Sequence, residues 1–290
     1  MIIVTDNAAD LTAEEAQTLG IIQAPLYIQF HDGEVKSADL TPDAFYARLA
    51  AAFPKIPTTA QPSSGELAAL YEQVTQAGEE LFSIHISSGL SGTLNAARLA
   101  AEELVGKINV HVVYTMTLSG GQRFQVLAAA MAARAQWTRK QILERLAAIR
   151  EQTEVIFTLE TIDYLAKGGR IGRVAAIAGG LLKIKPIIHV DHADGKYTTV
   201  GRARTLGKSI ETITEHLANI YGDTPLWLSV MHGQWANAAE NLAGQVKTRL
   251  NIARFELLRI SPILGVHTGP GIIGICCVPI HHFADLMPAE

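Results

Sequence analysis

The stretch 82-FSIHISSGLSGTLNAARLAAEEL-104 predicts a strand, a turn and a helix in immediate succession. Apolar and β-branched residues lead into SSGLSGT, and helix-forming residues with a 3.6-residue apolar period follow it. The turn falls where the helix presents its free backbone N–H groups, and such a place binds anions. The stretch therefore predicts an anion site between a strand and a helix.

Strands and helices alternate on both sides of this stretch through the first half of the chain. This alternation predicts a mostly parallel sheet that is covered by helices on both faces. Residues 21–39 read as extended chain with a hairpin at Asp32-Gly33. The remaining predicted elements are strands 2–5, 81–87 and 108–114, helices 10–20, 41–52, 65–77, 91–104, 120–135 and 138–150, and a proline-bounded loop 55–64.

The pattern changes from about residue 153, where strand candidates follow one another with fewer helices between them. This change predicts a second, α+β domain with an antiparallel or mixed sheet. We expect an N-terminal α/β domain at 1–152, a C-terminal α+β domain at 153–282 and a tail at 283–290. The strand candidates are 155–160, 181–191, 196–204, 225–231, 252–260 and 271–280, with a hairpin turn within 191–198.

Composition excludes several classes of protein. The 290 residues include 24 basic and 28 acidic side chains, and the net charge of −4 argues against broad binding to nucleic acid or anionic membrane. The start, MIIVTDNAAD, lacks a basic region and a long apolar region, so it does not read as a signal peptide. Two adjacent cysteines form no disulfide or metal motif. We expect a reducing, cytoplasmic compartment.

The turn SSGLSGT suits a small anion better than a nucleotide. Its glycine is not followed by the lysine of a phosphate-binding loop, and it does not match GxGxxG. Hydroxyl groups and a helix N-terminus without a cation favour a carboxylate. The hydroxyls are those of Ser87, Ser88, Ser91 and Thr93. The alternative is that Ser91 merely caps the helix.

Two further segments carry polar groups that could contact a ligand. Between Pro57 and Pro62, the loop 55-KIPTTAQPSS-64 holds a second set of hydroxyls, which could serve a ligand or cap the next helix. Near the C-terminus, 267-HTGPGIIG-274 places His267 before three glycines. A Ser-His-Asp hydrolase is disfavoured because the GxSxG elbow is absent and no acid is evidently placed to orient His267.

Other chemistry-bearing residues carry weaker signals. The remaining histidines form no metal motif, and the HxxH of 189-HVDH-192 has little specificity, so no metal ligand is predicted. The segment 167-KGGRIGR-173 concentrates cations between glycines. It reads either as a solvated turn or as a basic patch for a partner or a phosphate, which Arg202 and Arg204 could extend.

Eight motifs in this order resemble the DegV family of bacterial fatty-acid-binding proteins. The resemblance extends from residue 2 to about residue 280, and its specificity lies in the number of motifs in register. The motifs are VTDNAADL (4–11), PTTAQPS (57–63), ISSGLSGTLNAA (86–97), TLSGGQ (117–122), LAKGGRIGR (165–173), LLKIKPII (181–188), GRART (201–205) and HTGPGIIG (267–274).

The resemblance implies one long-chain fatty acid, such as palmitate, bound where the two domains meet. It implies that the acyl chain lies in an apolar tunnel of the N-terminal domain and that no cofactor or metal is needed. By position in the motifs, the carboxylate would be held by Thr59, Ser91 and His267. Secondary candidates nearby are Thr58, Ser88 and Gly92.

The resemblance also implies a partner. Related proteins present the fatty acid to a separate kinase subunit, and Arg170, Arg173 and Arg204 are the candidate docking residues. We expect a monomeric, non-enzymatic carrier for phospholipid metabolism. The alternatives are a stand-alone acyl- or phosphoryl-transfer enzyme and a regulatory lipid-binding protein. Two departures from the family pattern, Asn7 in place of serine and Tyr114 before Thr115, bear on the head-group site.

Overall fold

The structure, a computed structural model, describes residues 1–178 and 184–287. Its strands, in chain order, are β1 (Ile2–Asp6), β2 (Ile22–Ala24), β3 (Tyr27–Phe30), β4 (Gly33–Lys36), β5 (Thr58–Ala60), β6 (Glu80–His85), β7 (Asn109–Tyr114), β8 (Glu154–Leu159), β9 (Lys185–Val190), β10 (Tyr197–Ala203), β11 (Leu226–His232), β12 (Ile252–Arg259) and β13 (Ile272–Pro279). Within the described ranges these strands form three sheets.

Helices alternate with most strands of the first half, although β2, β3 and β4 follow one another directly. The helices are α1 (Ala13–Leu19), α2 (Pro42–Ala52), α3 (Ser64–Val74), α4 (Thr93–Glu103), α5 (Ser119–Arg134), α6 (Arg139–Gln152), α7 (Asp163–Lys167), α8 (Ala175–Ala178), α9 (Leu206–Tyr221), α10 (Ala236–Arg249) and α11 (Pro262–Thr268). In the part of the chain that the structure describes, no helix has both the length and the apolar character needed to cross a bilayer.

The sheets confirm the predicted α/β fold class. The strands of the first half form a four-stranded sheet, β2-β1-β6-β7, in which every neighbouring pair is parallel. The second half forms a six-stranded mixed sheet, β10-β9-β8-β13-β11-β12, in which only β11 and β12 pair in parallel. A small antiparallel sheet, β4-β3-β5, includes the predicted hairpin at Asp32-Gly33.

Local signals explain most element boundaries. Thr41 caps α2 with Pro42 at its first position, and Ser63 caps α3 through a reciprocal capping box with Glu66. The predicted helix 10–20 begins later, at Ala13, because Thr12 is the N-cap and forms a capping box with Glu15. The helix ends as predicted at Gly20, which takes the left-handed conformation.

Three predicted segments differ from the structure. Residues 55–64 are not only a loop, because Thr58–Ala60 pair with β3 as strand β5. The strand predicted at 181–191 is observed from Lys185, and positions 181–183 lie outside the described residues. The predicted tail is anchored, since Phe283 is fully buried and its ring centroid lies 4.8 Å from that of Trp227. Positions 288–290 of that tail are also outside the described residues.

Helix α5 lies between the two larger sheets and joins them in one core. It contacts β1 and β6 of the four-stranded sheet and β8 and β13 of the six-stranded sheet. The largest apolar cluster accordingly contains side chains from both halves of the chain, among them Phe82, Phe124, Phe157 and Trp227. The division at residues 152 and 153 remains a prediction, because the core runs continuously across it.

Candidate functional site

Four of the residues singled out in the sequence, the three proposed carboxylate ligands and Arg170, meet at one cavity. This cavity, called here the polar cavity after the hydrogen-bonding groups in its wall, has a volume of about 60 Å³. Its lining combines the polar residues Thr59, Gln61, Ser91, Arg170 and His267 with a larger number of apolar ones, Leu264 among them. The Thr59 hydroxyl oxygen lies 2.9 Å from Nε2 of His267, although 208 residues separate them along the chain. The structure thus brings Thr59, Ser91 and His267 together.

Strand β5 directs Thr59 into the cavity. Thr59 pairs with Ile28 of β3, and alternate side chains of a strand point to opposite faces. Thr58 is accordingly exposed, whereas Thr59 is partly buried at the cavity wall. Thr58, a secondary candidate, is therefore directed away from the polar cavity.

Ser91 lies in the turn that precedes α4 and has a structural role of its own. Its hydroxyl accepts a hydrogen bond from the backbone N–H of Thr93 at 3.3 Å and lies 2.8 Å from the Thr93 hydroxyl. The alternative that Ser91 caps α4 is wrong, because the N-cap is Gly92 and no side chain caps this helix. Ser91 lies one residue before the N-cap, and its partly exposed side chain lines the polar cavity.

The other secondary candidates lie beside the cavity. Ser88 is exposed and does not belong to the lining. Gly92 is the residue that immediately precedes α4, and any side chain there would collide with the amide of Gln61. Gly92 therefore leaves room for Gln61, which lines the polar cavity and was not singled out from the sequence.

His267 is uncharged at neutral pH. Burial, together with the nearby charge of Arg170, lowers its pKa to about 4. Its Nδ1 is buried and has no hydrogen-bond partner within residues 1–178 and 184–287. When Nε2 carries the proton, it donates to Thr59, and the Thr59 hydroxyl hydrogen is then free to be donated to an anion.

Arg170 has a different position from the one expected of a docking residue. It lines the polar cavity, donating through Nη1 to the Gly168 carbonyl at 2.7 Å and through Nε to the Leu90 carbonyl at 3.3 Å. These bonds connect the KGGR turn to the SSGLSGT turn. The cavity therefore contains a guanidinium, whereas the sequence predicted neutral donors alone.

The other two docking candidates have environments unlike that of Arg170. Arg173 forms ion pairs with Asp191 at 3.3 Å and with Asp194 at 2.9 Å, which offset its charge. Arg204 is exposed and borders a surface depression together with Arg202 and Lys208. The three arginines therefore do not form a uniform basic patch.

An apolar cavity adjoins the polar one across helix α11. Its volume is about 30 Å³, and its lining includes Val155, Phe157, Tyr197, Met231, Leu264 and Ile272. Leu264 lines both cavities. Apart from Leu118 and Ser119, the lining residues come from positions 155–276, so this cavity lies mainly in the second half of the chain rather than in the first, where the tunnel was expected.

The two departures from the family pattern support neighbouring turns. The Asn7 side chain accepts from the backbone N–H of Leu26 at 3.1 Å and donates to Gln23 at 2.9 Å. The Tyr114 hydroxyl lies 3.2 Å from the Ser87 hydroxyl and donates to the Asp194 carbonyl at 3.3 Å. Tyr114 thereby joins the SSGLSGT turn to the turn between β9 and β10.

A Ser-His-Asp arrangement that the sequence analysis missed lies in the four-stranded sheet. His85 has Nδ1 2.9 Å from Asp6 and Nε2 2.6 Å from Ser83, whose hydroxyl also lies 2.6 Å from that of Tyr71. Asp6, Ser83, His85 and Tyr71 are all completely buried. A nucleophile must be reached by its substrate, so this network satisfies buried polar groups rather than forming a hydrolytic site.

Comparison with known proteins gives matches to a single protein family. The family model of DegV, a family of uncharacterised proteins, matches residues 1–279. A DegV domain-containing protein from Deinococcus radiodurans is 36% identical over 290 residues, and the alignment covers 96% of this chain and 98% of that protein.

Solved structures with a similar fold include proteins described by their lipid ligands. A DegV family protein from Thermus thermophilus, described for its fatty acid binding, has a TM-score of 0.89 at 28% identity, over 96% of this chain and 99% of that chain. A stearic acid-binding protein from Eubacterium ventriosum has a TM-score of 0.86 at 25% identity, over 96% of this chain and 98% of that chain.

Proposed function

The chain belongs to the DegV family, and we propose that it binds one long-chain fatty acid with the carboxylate in the polar cavity and the acyl chain directed past Leu264 into the apolar cavity. The observation that carries this proposal is the shared wall: Leu264 borders a cavity with hydrogen-bond donors on one side and an apolar cavity on the other. A fatty acid has the same two parts in the same order.

The donors of the polar cavity suit a carboxylate. The hydroxyls of Thr59 and Ser91 would each contribute about 1.5–3 kcal/mol as hydrogen bonds to a charged group. Neutral His267 would fix the orientation of the Thr59 hydroxyl. Arg170 adds an attractive charge, but its donors to Gly168 and Leu90 are already engaged, which limits how firmly it can clamp the anion.

The acyl chain would supply most of the affinity. Burying a methylene group contributes about 0.8 kcal/mol, so a 16-carbon chain contributes on the order of 10 kcal/mol before the costs of binding. A cavity of about 30 Å³ is smaller than such a chain. We therefore expect side chains around Leu264 to shift when the lipid enters.

The lipid would be presented to a second protein rather than transformed by this chain. In this proposal a separate fatty acid kinase subunit phosphorylates the carboxylate, and Arg173 and Arg204 contact that subunit. Arg170 contacts the lipid head group instead. The isolated chain should neither bind nor hydrolyse ATP, and measurable turnover of ATP by the isolated chain would contradict the carrier role.

The experiment is to measure lipid occupancy by native and denaturing mass spectrometry of the purified protein. We expect a stoichiometric fatty acid on the wild-type chain and reduced occupancy in Thr59→Ala/Ser91→Ala, because two hydrogen bonds to the carboxylate are lost. The matched control is Thr58→Ala/Ser88→Ala, which removes two neighbouring exposed hydroxyls and should leave occupancy unchanged.

Two results would contradict the proposal. A wild-type chain that is empty after purification and does not take up added palmitate or oleate would remove the lipid assignment. Full occupancy in Thr59→Ala/Ser91→Ala would mean that the carboxylate lies elsewhere. Circular dichroism of each variant establishes that any loss of lipid is not a loss of fold.

A further inference from the structure

A cluster of histidines surrounds Glu154 on the face of the six-stranded sheet that lies opposite the apolar cavity. Glu154 begins β8, and His189 of β9 pairs with Ile156, so the two side chains project from the same face. That face is covered by α9, which carries His216. His192 joins the cluster from the turn after β9.

The fold fixes the position of the third histidine. The hydroxyl of Tyr221, at the end of α9, donates to the Gln152 carbonyl at 2.7 Å, just before β8 begins. Apolar side chains of α9 pack on Ile156 in the same cluster. His216 is therefore held against the beginning of β8 by its own helix.

The donor atoms lie close enough together for a small movement of the His216 side chain to bring all three into contact with one ion. One donor atom from each of Glu154, His189 and His216 lies within 4.8 Å of the other two. Nδ1 of His189 is 3.4 Å from the Glu154 carboxylate, and Nε2 of His216 is 4.0 Å from the same oxygen. Ligand bonds of about 2.1 Å in a tetrahedral zinc site place neighbouring donor atoms about 3.4 Å apart.

We propose that Glu154, His189 and His216 bind a divalent transition-metal ion of the zinc class, with His192 orienting the carboxylate. Two imidazole nitrogens and one carboxylate oxygen are a donor set that zinc accepts, with a fourth position left for water. Imidazole ligands also select against Mg²⁺ and Ca²⁺, which prefer oxygen. His192 donates to the other carboxylate oxygen at 2.8 Å, the arrangement that holds a ligating carboxylate in place.

Hydrogen bonds to Glu154 account for His192 and His189 but not for His216. Nε2 of His216 is buried, makes no hydrogen bond to any residue that the structure describes, and lies too far from Glu154 for one. A buried ring nitrogen without a partner is costly. A metal ion between His216 and Glu154 would supply the partner that the protein does not.

The test is a titration of untagged, full-length protein after treatment with a chelator. Co²⁺ is the probe, because tetrahedral cobalt with nitrogen and oxygen ligands absorbs visible light. We expect saturation at one equivalent, displacement by one equivalent of Zn²⁺, and no displacement by Mg²⁺. Wild-type protein without saturable Co²⁺ or Zn²⁺ binding would overturn the proposal.

Variants locate the ion. His189→Asn and His216→Gln should each abolish the tetrahedral spectrum, and His192→Asn should weaken affinity by about 10–100-fold, since it removes only the orienting bond. His31→Gln, an exposed histidine outside the cluster, is the matched control and should leave binding unchanged. Stoichiometric binding that persists in folded His189→Asn/His216→Gln protein would overturn the assignment.

A measurement on the wild-type chain covers the case in which the variants do not fold. Anomalous diffraction at the zinc edge from crystals grown with Zn²⁺ should give a peak between Glu154, His189 and His216. A zinc peak only at other residues would overturn the proposal. Lipid occupancy, measured on the same samples, should not change with metal, so failure here is distinct from failure of the lipid proposal.

Discussion

His267 connects three groups of different chemistry around the polar cavity. Its ring bonds to the Thr59 hydroxyl, lies against Gly168 and shares the lining with the charged Arg170. Thr59, Ser91 and His267 were singled out because the family resemblance implies them by their positions in the motifs, and the fold brings them to one cavity. The motifs could not place Arg170, whose direction depends on packing between turns that are distant in sequence.

The uncharged state of His267 predicts a specific dependence of stability on pH. The folded pKa of about 4 lies below the ordinary value of 6.5, so between these pH values the unfolded chain binds more protons. The contribution of His267 to stability is thus complete above about pH 6.5 and is lost as the pH falls toward 4.

Urea denaturation at pH 7.5 and pH 5 of the wild type and of His267→Gln measures this effect. The free energy of unfolding should fall less in the variant than in the wild type between the two pH values. Proton NMR should show the His267 ring titrating near pH 4, and a midpoint near 6.5 would contradict the prediction.

A substitution at Gly168 provides a second test of the role of His267. Its backbone does not need glycine, since φ is −76°, but a β-carbon there would collide with the His267 ring. We expect Gly168→Ala to displace His267 and weaken fatty acid binding, measured by lipid titration. Gly244→Ala is the control, because its β-carbon meets no neighbour, and lipid affinity should be unchanged. Equal affinity of both variants would mean that His267 does not position the ligand.

At the scale of elements, the short strand β5 was the hardest feature to predict. Thr58–Ala60 lie between prolines, which indicate a loop, and the strand exists because β3 pairs with it along its other edge. Such pairing is a long-range interaction that no local pattern encodes. The six strands of the second half were predicted because each is a longer run rich in β-branched, aromatic or other apolar residues and is bounded by turn-forming residues.

The segment that contains β5 also contains the N-cap of α3, and its contribution to the ligand site can be tested separately from its contribution to the helix. Ser63 accepts from the backbone N–H of Glu66 at 3.1 Å, and the Glu66 carboxylate accepts from the backbone N–H of Ser63 at 2.8 Å. Ser63→Ala should lower the free energy of unfolding by about 1 kcal/mol because the cap is lost, whereas Ser63→Thr should retain most of it.

Lipid occupancy should be the same in both Ser63 variants. Denaturant unfolding of the two variants measures the predicted change in stability, and mass spectrometry measures their lipid occupancy. A loss of lipid in Ser63→Ala without a loss of stability would assign Ser63 to the ligand rather than to the helix.

A buried arginine links three elements that are distant in the sequence. Arg123 of α5 is 1% exposed and donates to Glu15 of α1 at 2.9 Å and to Glu256 of β12 at 2.7 Å. Trp227 of β11 donates to the same carboxylate oxygen of Glu256 at 2.9 Å. The alternation of elements predicted the two sheets, but a charged residue inside a nearly fully buried helix could not be foreseen from an apolar period.

Removing this cation should destabilise the chain strongly. Arg123→Met leaves Glu15 without its cation and leaves Glu256 with Arg254, Trp227 and Ser229 as its remaining donors. Breaking a buried ion pair costs about 3–5 kcal/mol, and we expect a loss near the lower end of that range. Burial raises the pKa of Glu256, but the bond from Arg123 and neighbouring donors outweigh it and hold that pKa at about 2, so it should rise in the variant.

Urea denaturation at pH 7 compares Arg123→Met with Arg134→Met, which changes an exposed arginine of the same helix and should cost less than about 0.5 kcal/mol. Arg123→Met/Glu15→Gln/Glu256→Gln should recover part of the loss. Equal stability of the two single variants would show that the network contributes nothing.

Strand β8 has alternating side chains on two faces of one sheet: Val155 and Phe157 pack in the core that surrounds the apolar cavity, and Ile156 packs in the cluster under α9, on the side of Glu154. A fatty acid and a metal ion would each bind only folded chains, in which β8 has this register, although the two ligands do not contact each other. By mass action their increments to thermal stability should add. The abundance of the folded chain in the cell would then depend on the supply of both ligands, although the lipid and the metal ion are chemically unrelated.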